Sequence, residues 1–171
     1  MRLSPIIVCT FCGLCACAIV ASTVASAQST KTSTLVGGWR SEVQFSTGPF
    51  AAVKDLEFLF VFNEGGTLTE SSNYDGAPPV PPAYGVWRKT GAREYELHYE
   101  YFNSTPPKAL EDMTGGGGWT PGGRGTIKER IKLSADGRTF TSTISFVLRD
   151  TAGKEIPGGG AASSSGTRMS F

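Results

Sequence analysis

After residue 17 the chain has no cysteine, because all four cysteines fall at positions 9, 12, 15 and 17, and His98 is its single histidine. A zinc site of the usual His/Cys type is therefore excluded from the rest of the chain. Disulfide stapling is excluded there too. Charge is sparse and balanced, with 16 basic residues against 15 acidic and 18% charged in all. Such a balance gives no electrostatic footprint for nucleic acid or an anionic membrane surface. No G-x-S-x-G elbow presents a serine nucleophile. Gly115 to Gly118 lacks the Lys-Ser/Thr pair and the following helix of a phosphate loop. Asp136 and Asp150 lie at turns without the carboxylate spacing of a calcium loop. Nothing here demands a metal or a cofactor, and helical periodicity is almost missing.

The first stretch differs in kind from the rest. Arg2 precedes an apolar run from Ile6 to Ala21, which leads to Ala25-Ser26-Ala27. A basic start, a short hydrophobic segment and a small-x-small site form the pattern of a secretory signal. A membrane span needs roughly 20 uninterrupted apolar residues, and this run is shorter and broken by Cys, Thr and Gly. The expectation is a signal peptide over 1–27 with export to the periplasm or the exterior. The alternative is a lipid anchor on Cys17, since Leu14-Cys15-Ala16-Cys17 loosely resembles a lipoprotein box. Without Arg2 the remaining chain carries 15 basic and 15 acidic residues (16 less one, against 15). Residues 28–34 read as a polar, flexible lead-in and 35–171 as one domain, long enough to bury a core without staples.

What fills that domain is period-two alternation. Trp39, Ser41, Val43 and Phe45 share one face of a first strand, with Arg40, Glu42 and Gln44 on the other. Leu56, Phe58, Phe60 and Phe62 form the inner face of a second. Leu59 and Val61 make its outer face partly apolar, so a covering element is expected there. Asn63-Glu64-Gly65-Gly66 turns the chain into a third strand. Ser72 to Ala83, with four prolines, predicts a stiff loop over a barrel mouth. Tyr84 to Thr90 is a fourth strand. Tyr95, Leu97, Tyr99 and Tyr101 then alternate with Glu94, Glu96, His98 and Glu100 in a fifth. Residues 104–123 form the longest irregular stretch, with a possible helical turn over 106–113. Arg124 to Ser134 and Arg138 to Asp150 make a hairpin. The last strand begins at Lys154, is expected to be interrupted by the Gly/Ala/Ser run 158–165, and resumes at Thr167. About eight strands in meander order predict an all-β, antiparallel up-and-down barrel, with a β-sandwich as the alternative.

Two carboxylate patterns carry candidate chemistry. Glu96, His98 and Glu100 stand in a row and could in principle hold a metal. The aromatic residues between them claim the interior, so the row reads as a solvated outer face. Glu129 stands between Ile127 and Ile131 on a face that should point inward. A buried charge needs a partner or its pKa rises, so Glu129 is either a structural partner of a hydroxyl or cation, or a ligand-binding or acid/base group. Phe60, Trp87, Tyr95 and Tyr99 are the candidate walls of an apolar cavity beside Glu129. Asn103-Ser104-Thr105 fits a glycosylation sequon in a eukaryotic host.

Gly37-x-Trp39 on the first strand and Arg168 on the last resemble the calycin signature of lipocalins and their relatives. That resemblance implies an arginine packed over the first-strand tryptophan, closing one end of a barrel, with Trp39 and Arg168 as structural residues. The runs F-N-E-G-G-T-L, P-A-Y-G-V-W-R-K-T-G and L-S-A-D-G-R-T-F-T are also similar to small secreted bacterial proteins. The function expected is that of an exported, monomeric, lipocalin-like protein binding a small apolar or aromatic ligand. Two alternatives stand beside it. One is a barrel cyclase or isomerase using Glu129 as acid/base. The other is a scaffold contacting partners through the loop around Trp119.

Overall fold

Alternating side chains produce alternating burial along most of Gly37–Phe45, Leu56–Phe62 and Thr139–Arg149 and the inner halves of the longer strands. The computed structural model describes residues 34–74, 81–114 and 118–171. The expected signal segment, Cys17, nearly all of the lead-in, residues 75–80 of the proline-rich loop and Gly115 to Gly117 lie outside the described residues. Eight strands follow in order: β1 Gly37–Phe45, β2 Leu56–Phe62, β3 Thr67–Ser72, β4 Ala83–Lys89, β5 Glu94–Thr105, β6 Thr120–Leu133, β7 Thr139–Arg149 and β8 Glu155–Arg168. Each pairs antiparallel with its neighbour, and β8 pairs with β1, so the sheet is a closed up-and-down barrel and not a sandwich. A 3-10 turn at Pro49–Ala52 and a short helix α1 at Leu110–Thr114 are the other elements. No helix among the described residues is long and apolar enough to cross a membrane.

Three local expectations change. The outer face of β2 is uncovered among the described residues, with Leu59 45% and Val61 51% exposed. Large and β-branched residues suit a pleated strand even on its wet side, so apolarity there did not require a second layer. The irregular stretch is shorter than expected, because β5 runs on to Thr105 and β6 starts at Thr120, across a register shift at Asn103/Ser104. β8 is continuous, and the Gly/Ala/Ser run is its body.

The reason for small residues in β8 is space. Gly166 stands across from Phe140, and a Cβ on it would lie 2.2 Å from that ring. Gly160 is likewise opposite Phe146, and Gly85 of β4 is opposite Tyr99. A barrel of eight strands has an interior only wide enough for side chains, so a large ring on one strand requires almost nothing on the next.

The closed end is built on Trp39, which is fully buried and donates its indole N–H to the Leu35 carbonyl at 2.8 Å. Phe140 lies against its ring at 5.1 Å. The Arg168 guanidinium sits 4.3 Å from the Trp39 ring centroid. The same guanidinium donates to the carbonyls of Val36 at 2.6 Å and Gly137 at 2.8 Å, and also to that of Thr34. Stacking of this kind is worth on the order of 1 kcal/mol. The three carbonyls add charge-assisted hydrogen bonds that a point-charge ammonium could not all replace.

Trp39→Ala should cost about 3–5 kcal/mol, as for other buried Trp truncations. Arg168→Lys should lower the midpoint of denaturant unfolding by a smaller amount, because charge survives but the fork is lost. Gly85→Ala should destabilise the fold by about 1–3 kcal/mol or more, since the new methyl meets the immovable His98 carbonyl oxygen at 2.2 Å. Urea unfolding curves check all three.

Candidate functional site

From the closed end the interior rises in layers. Phe62, Trp87 and Tyr95 meet edge-on above the plug, with ring centroids 6.2 Å (Phe62–Trp87) and 5.7 Å (Trp87–Tyr95) apart. Trp87 is half-buried and donates its indole N–H to the Thr67 carbonyl at 3.0 Å. The middle layer holds Phe60, Tyr99, Ser41, Glu70, Glu129, Ser142 and Ser164, all buried. The far end is aromatic among the described residues. Phe50, delivered by the 3-10 turn, packs on Phe45 at 5.4 Å and on Phe146 at 5.8 Å. Tyr74 meets Phe50 edge-on at 6.0 Å.

This mouth contains a cavity of about 50 Å³, walled by Phe45, Phe58, Tyr101, Ile127 and Phe146, rimmed by Phe50, Tyr74 and Pro81, and touched by Glu70. Asn73 fixes the rim: its side chain donates to the Asp55 carbonyl at 2.8 Å and accepts the Glu57 N–H at 2.9 Å, tying the end of β3 to the start of β2. None of the expected wall residues, Phe60, Trp87, Tyr95, Tyr99 or Glu129, lines it. The first four pack into the middle and closed layers instead.

Glu129 does point inward, 1% exposed, and accepts the Tyr99 hydroxyl at 2.9 Å on Oε2. Its Oε1 has no hydrogen-bond partner. The hydroxyls of Ser142 and Ser164 lie near it but bond each other at 2.7 Å. Burial raises the Glu129 pKa to about 7, with the Ser142, Tyr99 and Ser164 hydroxyls pulling it back down. Burial and the Glu129 charge hold the Tyr99 hydroxyl well above its usual value, so it stays a proton donor.

The residue that sequence reading missed is Glu70. It is 5% exposed, lies opposite Phe60 in the β2–β3 register, and its Oε1 is unpartnered. Burial, then the charge of Glu129, pushes its pKa up to about 8. Nothing within β3 marks it: its inward placement follows from its register opposite Phe60 across the Asn63–Gly66 turn. The charged row of β5 is the reverse case. Glu96 is held by Arg88 at 2.6 Å and Arg130 at 3.3 Å, while Glu100 lies 3.7 Å from Arg124 and 3.9 Å from His98, all on the outer face. The hydrogen bond from Arg88 lowers the Glu96 pKa. Trp119 is half-buried just before β6.

No protein-family profile matches the chain, and no curated protein or solved structure does either. The site must be read on its chemistry alone.

That chemistry sets a pH dependence. Unfolded glutamates ionise near 4.5, whereas Glu129 and Glu70 in the fold ionise near 7 and 8. Between those values the folded chain holds protons that the unfolded chain releases, so the contribution of these two acids to stability is fully present below about pH 4.5 and is lost as pH rises toward 8. Thermal unfolding should show this decline from about pH 5 to pH 8. Glu70→Gln and Glu129→Gln should each flatten it and raise the melting temperature at the alkaline end. A melting temperature in the parent protein that stays level or climbs across that window contradicts the buried acid pair.

Proposed function

We propose that this barrel is an exported, lipocalin-like binding protein for a small, largely apolar or aromatic ligand held in the aromatic cavity opposite the Trp39 end. The observation that carries the reading is the aromatic mouth: a cavity of about 50 Å³ with phenyl walls, opposite an end sealed by Trp39 and Arg168. Apolar walls with a few polar groups are the usual make-up of small-molecule sites. Export rests on the pattern of residues 1–27. The calycin-type pairing of the first and last strands supports the lipocalin-like reading, as does the Trp39–Arg168 contact.

Room for a cavity of this size is about four water-sized groups. The ligand is therefore a small molecule, or a larger one that inserts only a short end and lays the rest on Phe50, Tyr74 and Pro81. The cyclase or isomerase reading has one observation in its favour, the Tyr99–Glu129 hydrogen bond with a carboxyl poised near neutrality. Against it, the cavity touches Glu70 and stops short of Glu129, so binding is the better-supported function.

Titrating the protein with indole, phenol and toluene while recording amide NMR shifts tests this. The expected shifts cluster at Phe45, Phe58, Ser72 and Tyr101. Ser72→Leu, whose four side-chain carbons match the room in the cavity, should weaken them at a stability cost of about 1–3 kcal/mol or less. Shifts confined to the outer face of the barrel, or none at millimolar ligand, would remove the proposal.

A further inference from the structure

The floor of the mouth carries an ionisable group that its aromatic walls do not require. Glu70 reaches the cavity with an unpartnered, buried Oε1. Glu129, beyond the reach of the cavity, is close enough to act on Glu70 electrostatically and has its own Oε1 unpartnered. No lysine, arginine or histidine is among the buried residues described. The half-buried Arg168 is committed at the opposite end to Trp39 and backbone carbonyls. Carboxylates taken out of water without a cation are costly, and a barrel that needed only filling would be served by leucine at both positions. The rings of Phe45, Phe58, Tyr101 and Phe146 stand around the same space. Aromatic faces attract cations through their quadrupole, and a carboxylate adds a charge-assisted hydrogen bond.

We infer that the ligand is an organic amine, whose ammonium group docks on Glu70 inside the aromatic walls while its apolar body rests on Phe50, Tyr74 and Pro81. This inference rests on the binding function proposed above and names the ligand class. The space available, about four water-sized groups, fits an ammonium with two or three carbons. A metal ion is the poorer occupant, since no cluster of three or more ligating groups exists among the described residues and the walls are phenyl.

Docking also has a proton balance. At neutral pH the buried pair retains protons, and an ammonium on Glu70 must displace one: the Glu70 O–H bond breaks, the proton leaves to solvent, and the N–H of the ligand takes its place. Affinity should therefore rise with pH below the Glu70 pKa, by up to about tenfold per pH unit for one released proton.

Calorimetric titration of the purified protein with 2-phenylethylamine, 2-phenylethanol and phenylacetate separates the possibilities. The amine should bind at least tenfold more tightly than the alcohol, with phenylacetate weakest, and release a proton detectable as a buffer-dependent heat. Glu70→Gln should erase the preference for the amine. The alcohol binding as tightly as the amine overturns the inference and leaves the binding function standing, whereas no binding of any of the three removes both. Retention of amine preference in Glu70→Gln also overturns it. Should that variant fail to fold, an amine affinity in the parent protein that is flat between about pH 6 and pH 8 decides against the inference.

Discussion

Closure of the sheet by β1 and β8 is the constraint on which everything else depends. An open eight-stranded sheet would expose two edges with unpaired N–H and C=O groups, and its inner rings would have no opposite wall. Pairing Trp39 with Arg168 and Phe45 with Ala162 removes both edges at once. Arg168 does more than pair. Its guanidinium bridges the segment before β1 and the turn before β7 while covering the indole. One side chain thus joins three separate pieces of chain at the point where the ring of strands meets itself.

Once the ring is closed, its interior has a fixed width, and the sequence answers with complementary sizes. Phe140, Phe146 and Tyr99 each face a glycine across the next strand. Much of this was legible in advance. Strand number, meander order, the inward sets of β1, β2, β5, β6 and β7, and the inward Glu129 all follow from period-two alternation. The body of β8 was not legible, because glycine, alanine and serine have low strand propensity and their role appears only beside the rings they accommodate. Propensity lost to packing there. The apolar outer face of β2 misled in the opposite direction, since apolarity on a strand is not evidence of burial.

Glu70 was hidden for a different reason. In T-L-T-E-S-S a single glutamate among hydroxyl residues reads as a wet position. Its inward placement depends on register across a turn, which alternation within β3 alone does not settle. The site was therefore half legible: Glu129 could be picked out by its apolar neighbours, whereas its partner could not. The walls were named from the longest aromatic stripes, yet those stripes fill the closed and middle layers. The mouth combines inward strand residues such as Phe58, Ile127 and Phe146 with a rim of Phe50, Tyr74 and Pro81 that lies outside the strands, where periodicity gives no signal.

Two acids in the middle of a narrow barrel work against the stability that closure provides. Each carboxyl keeps its proton well above the usual range because burial penalises the charge, and the charge of Glu129 raises Glu70 further. Tyr99 satisfies one oxygen of Glu129 and stays neutral, so it supplies a hydrogen bond and no compensating charge. A fold selected for stability alone would not keep this arrangement, since apolar side chains of similar volume are commonly neutral or better. The aromatic plug at the Trp39 end can tolerate the cost because it holds the barrel together independently of the acids. That division of labour leaves the opposite end free to carry an unsatisfied group beside a cavity, where a bound cation would stabilise it.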